Sequence, residues 1–388
     1  MTYIRPAVIS LTCLAIGGAF AFGAICLPAL DGPPVLDESR AVSPRLAAPE
    51  QALSFARHRG TWHLVGHFDG TTAELIALPE ARAADTPFTL IDRLGRDALI
   101  ARTRGAGVPT PLAALEAVPL ADRHVAAGTN FADHAAEVAI DPVFLYPKRA
   151  APTPPVSTLS VPEGAMMDYE VEVCASFDRP VASPDDLSEA RAALVLCADM
   201  TDRATLYRLL DTDAPENGRG FTDAKSGAGR LPTGPFMVVP ADWRGFLRDE
   251  AMSTRVNGHL VQSGVLSDMR LDFDALAALA LDPPATMDLQ YQGRSVPMLD
   301  TGRIETGQAI LSGTPAGVVA EAPTGSDIVC GAVVWVCLGD VFRGVDPVAG
   351  VMEAYVARNI ASDIFLAPRD VVRMESARLG VIEVMMTE

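Results

Sequence analysis

What most limits the fold of this chain is its punctuation from Val118 onward, where glycine and proline cut the sequence into short apolar stretches. Tyr169 to Ser176, Ala192 to Ala198, Phe236 to Val239 and Ala309 to Ser312 each have the length and composition of a strand. Helical spacing shows between them, notably at Phe131 to Val138 and Phe273 to Leu281. A doubly wound parallel sheet needs regular strand–helix alternation, which this pattern lacks. The expectation is an α+β, β-rich fold. No Gly-x-Gly-x-x-Gly follows a strand, and no Gly-Lys-Ser or Gly-Lys-Thr loop is present, which argues against nucleotide cofactors.

Upstream of that region the chain changes character. Pro6 to Leu30 carries no charge, with Arg5 before the run and Asp31 after it. Such a run is long enough to cross a bilayer and reads as an anchor or a signal segment over residues 1–30. Arg5 would hold the short N-terminal side in the cytoplasm, so the remainder is expected to be membrane-anchored or exported, with a cytoplasmic location as the alternative. Residues 31–50 read as a Pro- and Ala-rich linker, and residues 51–117 as a small N-terminal domain. In that domain Thr61 to Phe68 is strand-like, Asp69-Gly70 is its closing turn, and Ile91 to Leu99 is helix-like.

Charge and cysteine narrow the partners. With Lys and Arg at 31 and Asp and Glu at 49, the net charge of −18 argues against nucleic acid, whose phosphates need a basic face. Cys13, Cys26, Cys174, Cys197, Cys330 and Cys337 form no Cys-x-x-Cys pair, so a zinc or thioredoxin-type site is not expected. A Cys330–Cys337 disulfide is open, but the plainer reading is of small buried hydrophobes.

The candidate chemistry begins at Asp168-Tyr169-Glu170-Val171-Glu172. Strand side chains alternate, so Asp168, Glu170 and Glu172 share a face, where their charges repel unless a cation or water screens them. A solvent-facing edge strand would also carry this pattern. Asp199, at the tip of the apolar run Ala192 to Ala198, adds a third carboxylate beside Glu170 and Glu172. An all-oxygen set of this kind suits Mg²⁺, Mn²⁺ or Ca²⁺. In Gly128 to Glu137, His134 and Glu137 stand at i and i+3 on a short helix, the arrangement of a carboxylate-supported base or of a surface contact. Lys225 lies in a Gly-rich loop, and Thr314 in the stiff turn Gly313 to Gly317.

In this order the segments resemble the fumarylacetoacetate hydrolase family, from about Val118 to Pro323 and again from Phe365 to Val384. The matches are Asn130-Phe131 with His134 and Glu137, Asp168 to Glu172, Asp199 with Arg203, Lys225, Gly234-Pro235, Val256-Asn257-Gly258 and Gly313-Thr314-Pro315. The resemblance implies a roll of mixed β-sheets behind a smaller N-terminal domain, with residues 118–388 as the catalytic domain of a homodimer. It implies metal ligation by Glu170, Glu172 and Asp199, a catalytic set of His134, Glu137 and Lys225, and substrate contacts from Lys148, Arg203 and Thr314.

The implied activity is metal-dependent hydrolysis of a carbon–carbon bond in a small anionic 1,3-dioxo acid, such as an acylpyruvate, through an enolate held by Mg²⁺ or Mn²⁺. Decarboxylation, isomerisation or hydration at the same site is the alternative, and a membrane-tethered binding protein without turnover is another. Two departures stand out. Arg369 replaces a glycine common in the family's closing segment, and residues 321–364 look inserted. Within the insertion Ile328 to Leu338 is too short to span a bilayer and reads as an added buried strand or an interface element.

Overall fold

Alternation sets the first strands. Trp62 and Leu64 are buried while Thr61 is exposed and His63 half-buried, so one face at the start of Thr61–Phe68 has an apolar surface to cover. It finds that cover in a sheet. The protein is known here from a computed structural model that describes residues 32–362 and 364–388. The chain divides into two compact units, one of Pro33–Ala320 with Leu366–Glu388, the other containing Glu321–Phe365.

The larger unit is organised by a ten-stranded sheet. Its strands are β1 (Ala52–His58), β2 (Thr61–Phe68), β3 (Thr72–Ala77), β4 (Val108–Pro111), β5 (Arg123–Gly128) and β6 (Phe144–Arg149). They are joined by β7 (Val171–Phe177), β8 (Ala192–Ala198), β9 (Met237–Pro240) and β10 (Ala309–Leu311). The spatial order is β4-β3-β2-β1-β9-β8-β7-β10-β5-β6. Neighbours run antiparallel except β10 and β5, which are parallel. The strands of the segment 51–117 therefore extend the same sheet that carries the acidic strands.

A second, five-stranded sheet holds Val156–Ser160, Ala251–Val256, His259–Val265, Val371–Ser376 and Gly380–Thr387. The fold is thus strand-rich α+β with a large mixed sheet. β7 and β8 are buried at every position, which is why their sequences read as continuous apolar runs instead of alternating ones.

Several expectations need correction. The anchor expected over residues 6–30 lies outside the described residues; among the described residues no helix is long and apolar enough to cross a membrane, so the membrane placement and tether find no support. The segment Ile328 to Leu338 is not a strand but most of the helix Gly325–Cys337, paired with Pro347–Ile360 in the smaller unit. Thr324 and Asp327 close a capping box at its start, and a Cβ on Gly350 would lie 2.2 Å from the Trp335 ring, so glycine lets the two helices approach. The helix-like stretch Ile91 to Leu99 is two helices, Pro87–Leu94 and Arg96–Arg102, broken at Gly95 with φ 82°.

The cysteines also differ from expectation. Cys174 and Cys197 form a disulfide between β7 and β8, while Cys337 is free and exposed and so is not paired with Cys330. Finally, Arg369 takes φ 87°, a conformation that favours the glycine it replaces.

Candidate metal and acid–base site

The register of β7 against β8 builds the site. Glu172 lies opposite Cys197 and Val171 opposite Ala198, and one step further the Asp199 N–H donates to the Glu170 carbonyl at 2.9 Å. Side chains directly opposite share a face, so Glu170, Glu172 and Asp199 converge at one end of the strand pair. A carboxylate oxygen from each lies within 4.8 Å of the others, and all three residues are buried.

Buried carboxylates need partners, and these are unequally distributed. Arg203 donates through Nε to Asp168 at 2.8 Å and through Nη2 to Glu170 at 2.6 Å. Lys225 Nζ sits 2.7 Å from Glu170 Oε1 and 3.0 Å from Asp199 Oδ2. Lys148 Nζ donates to Asp199 Oδ1 at 2.6 Å and to the Lys225 carbonyl at 2.5 Å. Asp168 is further held by the N–H groups of Tyr169, Val319 and Ala320. Glu172 has less: the Gly313 N–H donates to Oε2 at 2.7 Å, and its buried Oε1 has no hydrogen-bond partner among the described residues.

Ionisation follows that inequality. Burial alone would push Glu170 up, but Lys225, Arg203 and His134 hold it down at about 2. Glu172 goes the other way, pushed well above the carboxylate range by burial and then by the Asp199 and Glu170 charges. Burial pulls Lys148 down against the opposing pull of Asp199. Lys225 is raised, since burial is outweighed by Asp199 and Glu170. Glu172 is therefore the carboxylate whose charge the protein leaves uncompensated. An orphaned buried oxygen in an all-carboxylate cluster fits a hard divalent cation held by Glu170, Glu172 and Asp199.

The contact expected between His134 and Glu137 is formed. His134 lies on the helix Ala132–Val138, with Nδ1 at 3.0 Å from Glu137 Oε2, and the Gly317 N–H donates to Glu137 Oε1 at 2.9 Å. A carboxylate only accepts, so Nδ1 carries the proton and Nε2 is left free as a base. His134 is close enough to Glu170 for its positive form to favour that carboxylate.

The expected substrate contacts are placed differently from one another. Lys148 and Arg203 are both buried and spent on carboxylates. Thr314, also buried, accepts from Gln262 Nε2 at 2.9 Å through Oγ1. Gln262 was not singled out from sequence, yet it fastens the Gly313 to Pro315 turn, donating also to the Pro315 carbonyl and accepting from Val171 N–H and Thr254 Oγ1. Asn130 is structural: it bonds the carbonyls of Leu271 and Ser312 and the Leu271 N–H. Tyr146 was missed as well. Its hydroxyl donates to Asp199 Oδ2 at 2.7 Å, and its position two residues before Lys148 on β6 was the available signal, since both must share a face.

Comparison with known proteins bears on family and fold. The family described as Fumarylacetoacetate (FAA) hydrolase C-terminal matches residues 123–386. Among solved structures, a probable 2-hydroxyhepta-2,4-diene-1,7-dioate isomerase from Mycobacterium abscessus is 20% identical with TM-score 0.52, covering 86% of this chain and 98% of its own. A putative HpcE protein from Mycobacterium smegmatis is 22% identical with TM-score 0.53, covering 86% and 99%. At such identities the likeness is one of fold. No curated protein sequence matches the chain. The family match spans well over half of the sequence, so the chain belongs to the fumarylacetoacetate hydrolase family.

Proposed function

We propose that the protein is a metal-dependent hydrolase that cleaves a carbon–carbon bond in small 1,3-dioxo acids of the acylpyruvate type. The observation that carries this reading is the pairing of a cation-shaped carboxylate cluster, with Glu172 Oε1 left unpartnered, and a dyad of buried His134 and half-buried Glu137 beside it. Bound by Glu170, Glu172 and Asp199, a hard divalent cation such as Mg²⁺ or Mn²⁺ would polarise the two oxygens of such a substrate.

The chain's own groups supply the rest. His134 Nε2 takes a proton from water as the water attacks one carbonyl, while Glu137, itself fixed by the Gly317 N–H, supports the imidazolium. The carbon–carbon bond then breaks, one fragment leaves as a carboxylic acid, and the other gathers negative charge on oxygen. The Lys225 ammonium, among the site's cations, is placed to offset that charge. His134 returns its proton to the departing carbon, which completes the balance of one water per bond cleaved. Arg203 and Lys148 act here by orienting Asp168, Glu170 and Asp199, and Thr314 contributes the substrate-facing turn.

The test is turnover by metal-stripped protein, with and without Mg²⁺ or Mn²⁺, on acylpyruvates, fumarylacetoacetate-like diketones and oxaloacetate. Metal-restored hydrolysis of a 1,3-dioxo acid is the expected result, abolished in His134→Ala with calorimetric metal binding intact. Carbon dioxide release from oxaloacetate with no hydrolysis of any diketone would replace this reading with a decarboxylase. A fully active His134→Ala variant would remove the dyad from the reaction.

A further inference from the structure

Asp199 is the most heavily engaged of the three candidate ligands. Oδ1 accepts from Lys148 Nζ at 2.6 Å, and Oδ2 accepts from both the Tyr146 hydroxyl at 2.7 Å and Lys225 Nζ at 3.0 Å. A carboxylate offers about four lone-pair directions, two on each oxygen. Oδ2 is therefore filled, and Oδ1 keeps one direction open. Of the two donors on Oδ2, Lys225 is shared with Glu170 and has a flexible stem. Tyr146 is the stiff one. Its ring is fully buried, tilted against Phe221 at a centroid distance of 5.4 Å and Phe144 at 6.2 Å, and a phenol has only two side-chain torsions to adjust.

We propose that Tyr146 is a positioning residue that sets metal selectivity: by occupying Oδ2 it confines Asp199 to binding through Oδ1 alone. A one-oxygen carboxylate suits the compact six-coordinate shell of Mg²⁺ or Mn²⁺. Ca²⁺ takes more oxygens at longer distance and gains most from carboxylates that bind through both. Tyr146 thereby favours the smaller cations, and it does so without touching the ion. The proposal rests on the metal-site reading above and narrows it to a class of cation.

The experiment is calorimetric titration of the metal-stripped full chain with Mn²⁺ and with Ca²⁺, for the unaltered protein and for Tyr146→Phe. Phenylalanine keeps the ring packing and removes only the hydroxyl. Partners that orient a metal ligand commonly govern affinity by about 10- to 100-fold. The unaltered protein should favour Mn²⁺ over Ca²⁺ by at least about tenfold, and Tyr146→Phe should lower that ratio by a factor of about ten or more. An equal weakening of both metals in Tyr146→Phe would mark the hydroxyl as merely structural and overturn the proposal. Should the variant fail to fold, the unaltered protein still decides: equal affinities, or a preference for Ca²⁺, overturn it. Absence of binding by either metal would instead overturn the metal-site reading itself, so the two failures are distinguishable.

Discussion

Arg203→Met asks how much of the site's order is electrostatic. The guanidinium is buried and spans two carboxylates, giving charge-assisted bonds of 2.8 Å to Asp168 and 2.6 Å to Glu170. Methionine fills much of the same volume without charge. Two such bonds at about 1.5–3 kcal/mol each give about 3–6 kcal/mol. Removing one side of a buried ion pair generally costs about 3–5 kcal/mol. The lower end applies here, because neither partner is stripped bare. Asp168 keeps N–H donors from Tyr169, Val319 and Ala320, and Glu170 keeps Lys225.

The expected loss is therefore about 3 kcal/mol at neutral pH in the presence of a chelator. It should be read from urea unfolding curves whose slope matches that of the unaltered protein. Saturating Mn²⁺ should shrink the difference, since the cation would take over part of the compensation at Glu170. A double variant with Asp168→Asn should be less destabilised than the two single changes summed, because the pair is counted twice in the sum. A loss under about 1 kcal/mol in chelator, equal to the loss with metal, would refute the claim that Arg203 stabilises the cluster by charge.

Other consequences are open to measurement. Burial, with the nearby Lys148 charge, holds His124 down from 6.5 to about 4, so the folded protein keeps it neutral while the unfolded chain protonates near 6.5. That contribution is complete above pH 6.5 and is lost as pH falls toward 4, a change of about 3 kcal/mol; His124→Gln should flatten this limb of the stability profile, and an unaltered slope would count against it. Gly317 has φ 107°, and a Cβ there would lie 1.9 Å from the Val261 carbonyl oxygen. Gly317→Ala should lose at least about 1–3 kcal/mol of stability and lower kcat by displacing the N–H that holds Glu137, with Mn²⁺ affinity nearly unchanged; an equal fall in metal affinity would contradict that assignment. Arg369→Gly relieves a left-handed backbone and should raise stability by about 1 kcal/mol, whereas a lower melting temperature would show that the arginine side chain matters more than its φ.

The acidic strand was legible because its information is local. Period-two alternation places Glu170 and Glu172 together, and an apolar run ending in Asp199 marks a strand tip. The His134–Glu137 pair needed only helical spacing. What could not be read depends on how separate strands lie against each other. Tyr146 and Asp199 are 53 positions apart in sequence, and β6 and β8 are not neighbours in the sheet, so no local pattern announces their contact. The cysteines sat in apolar runs where small buried hydrophobes are the ordinary outcome. Their pairing follows from the offset that sets Glu172 opposite Cys197 and leaves Cys174 one diagonal step away.

The smaller unit was misread for another reason. The β-branched residues Ile328, Val329, Val333, Val334 and Val336 suggest a strand, although Thr324 and Asp327 carry a helix-start signature. In this segment packing and capping outweighed intrinsic preference.

The Cys174–Cys197 bridge has a bearing on how the carboxylate cluster would tolerate the lack of a cation. Side chains on a strand change face at every step, so a slip of one residue between β7 and β8 would turn Glu170 and Glu172 away from Asp199 altogether. Three crowded acidic side chains, with Glu172 Oε1 lacking a partner, supply a reason to slip whenever no cation sits between them. A covalent tie two residues from Glu172 removes that option, because the diagonal it spans exists in one alignment of the strands only. A cation held there would thus leave and return around an unchanged frame, with the carboxylates kept in step while they are at their least comfortable.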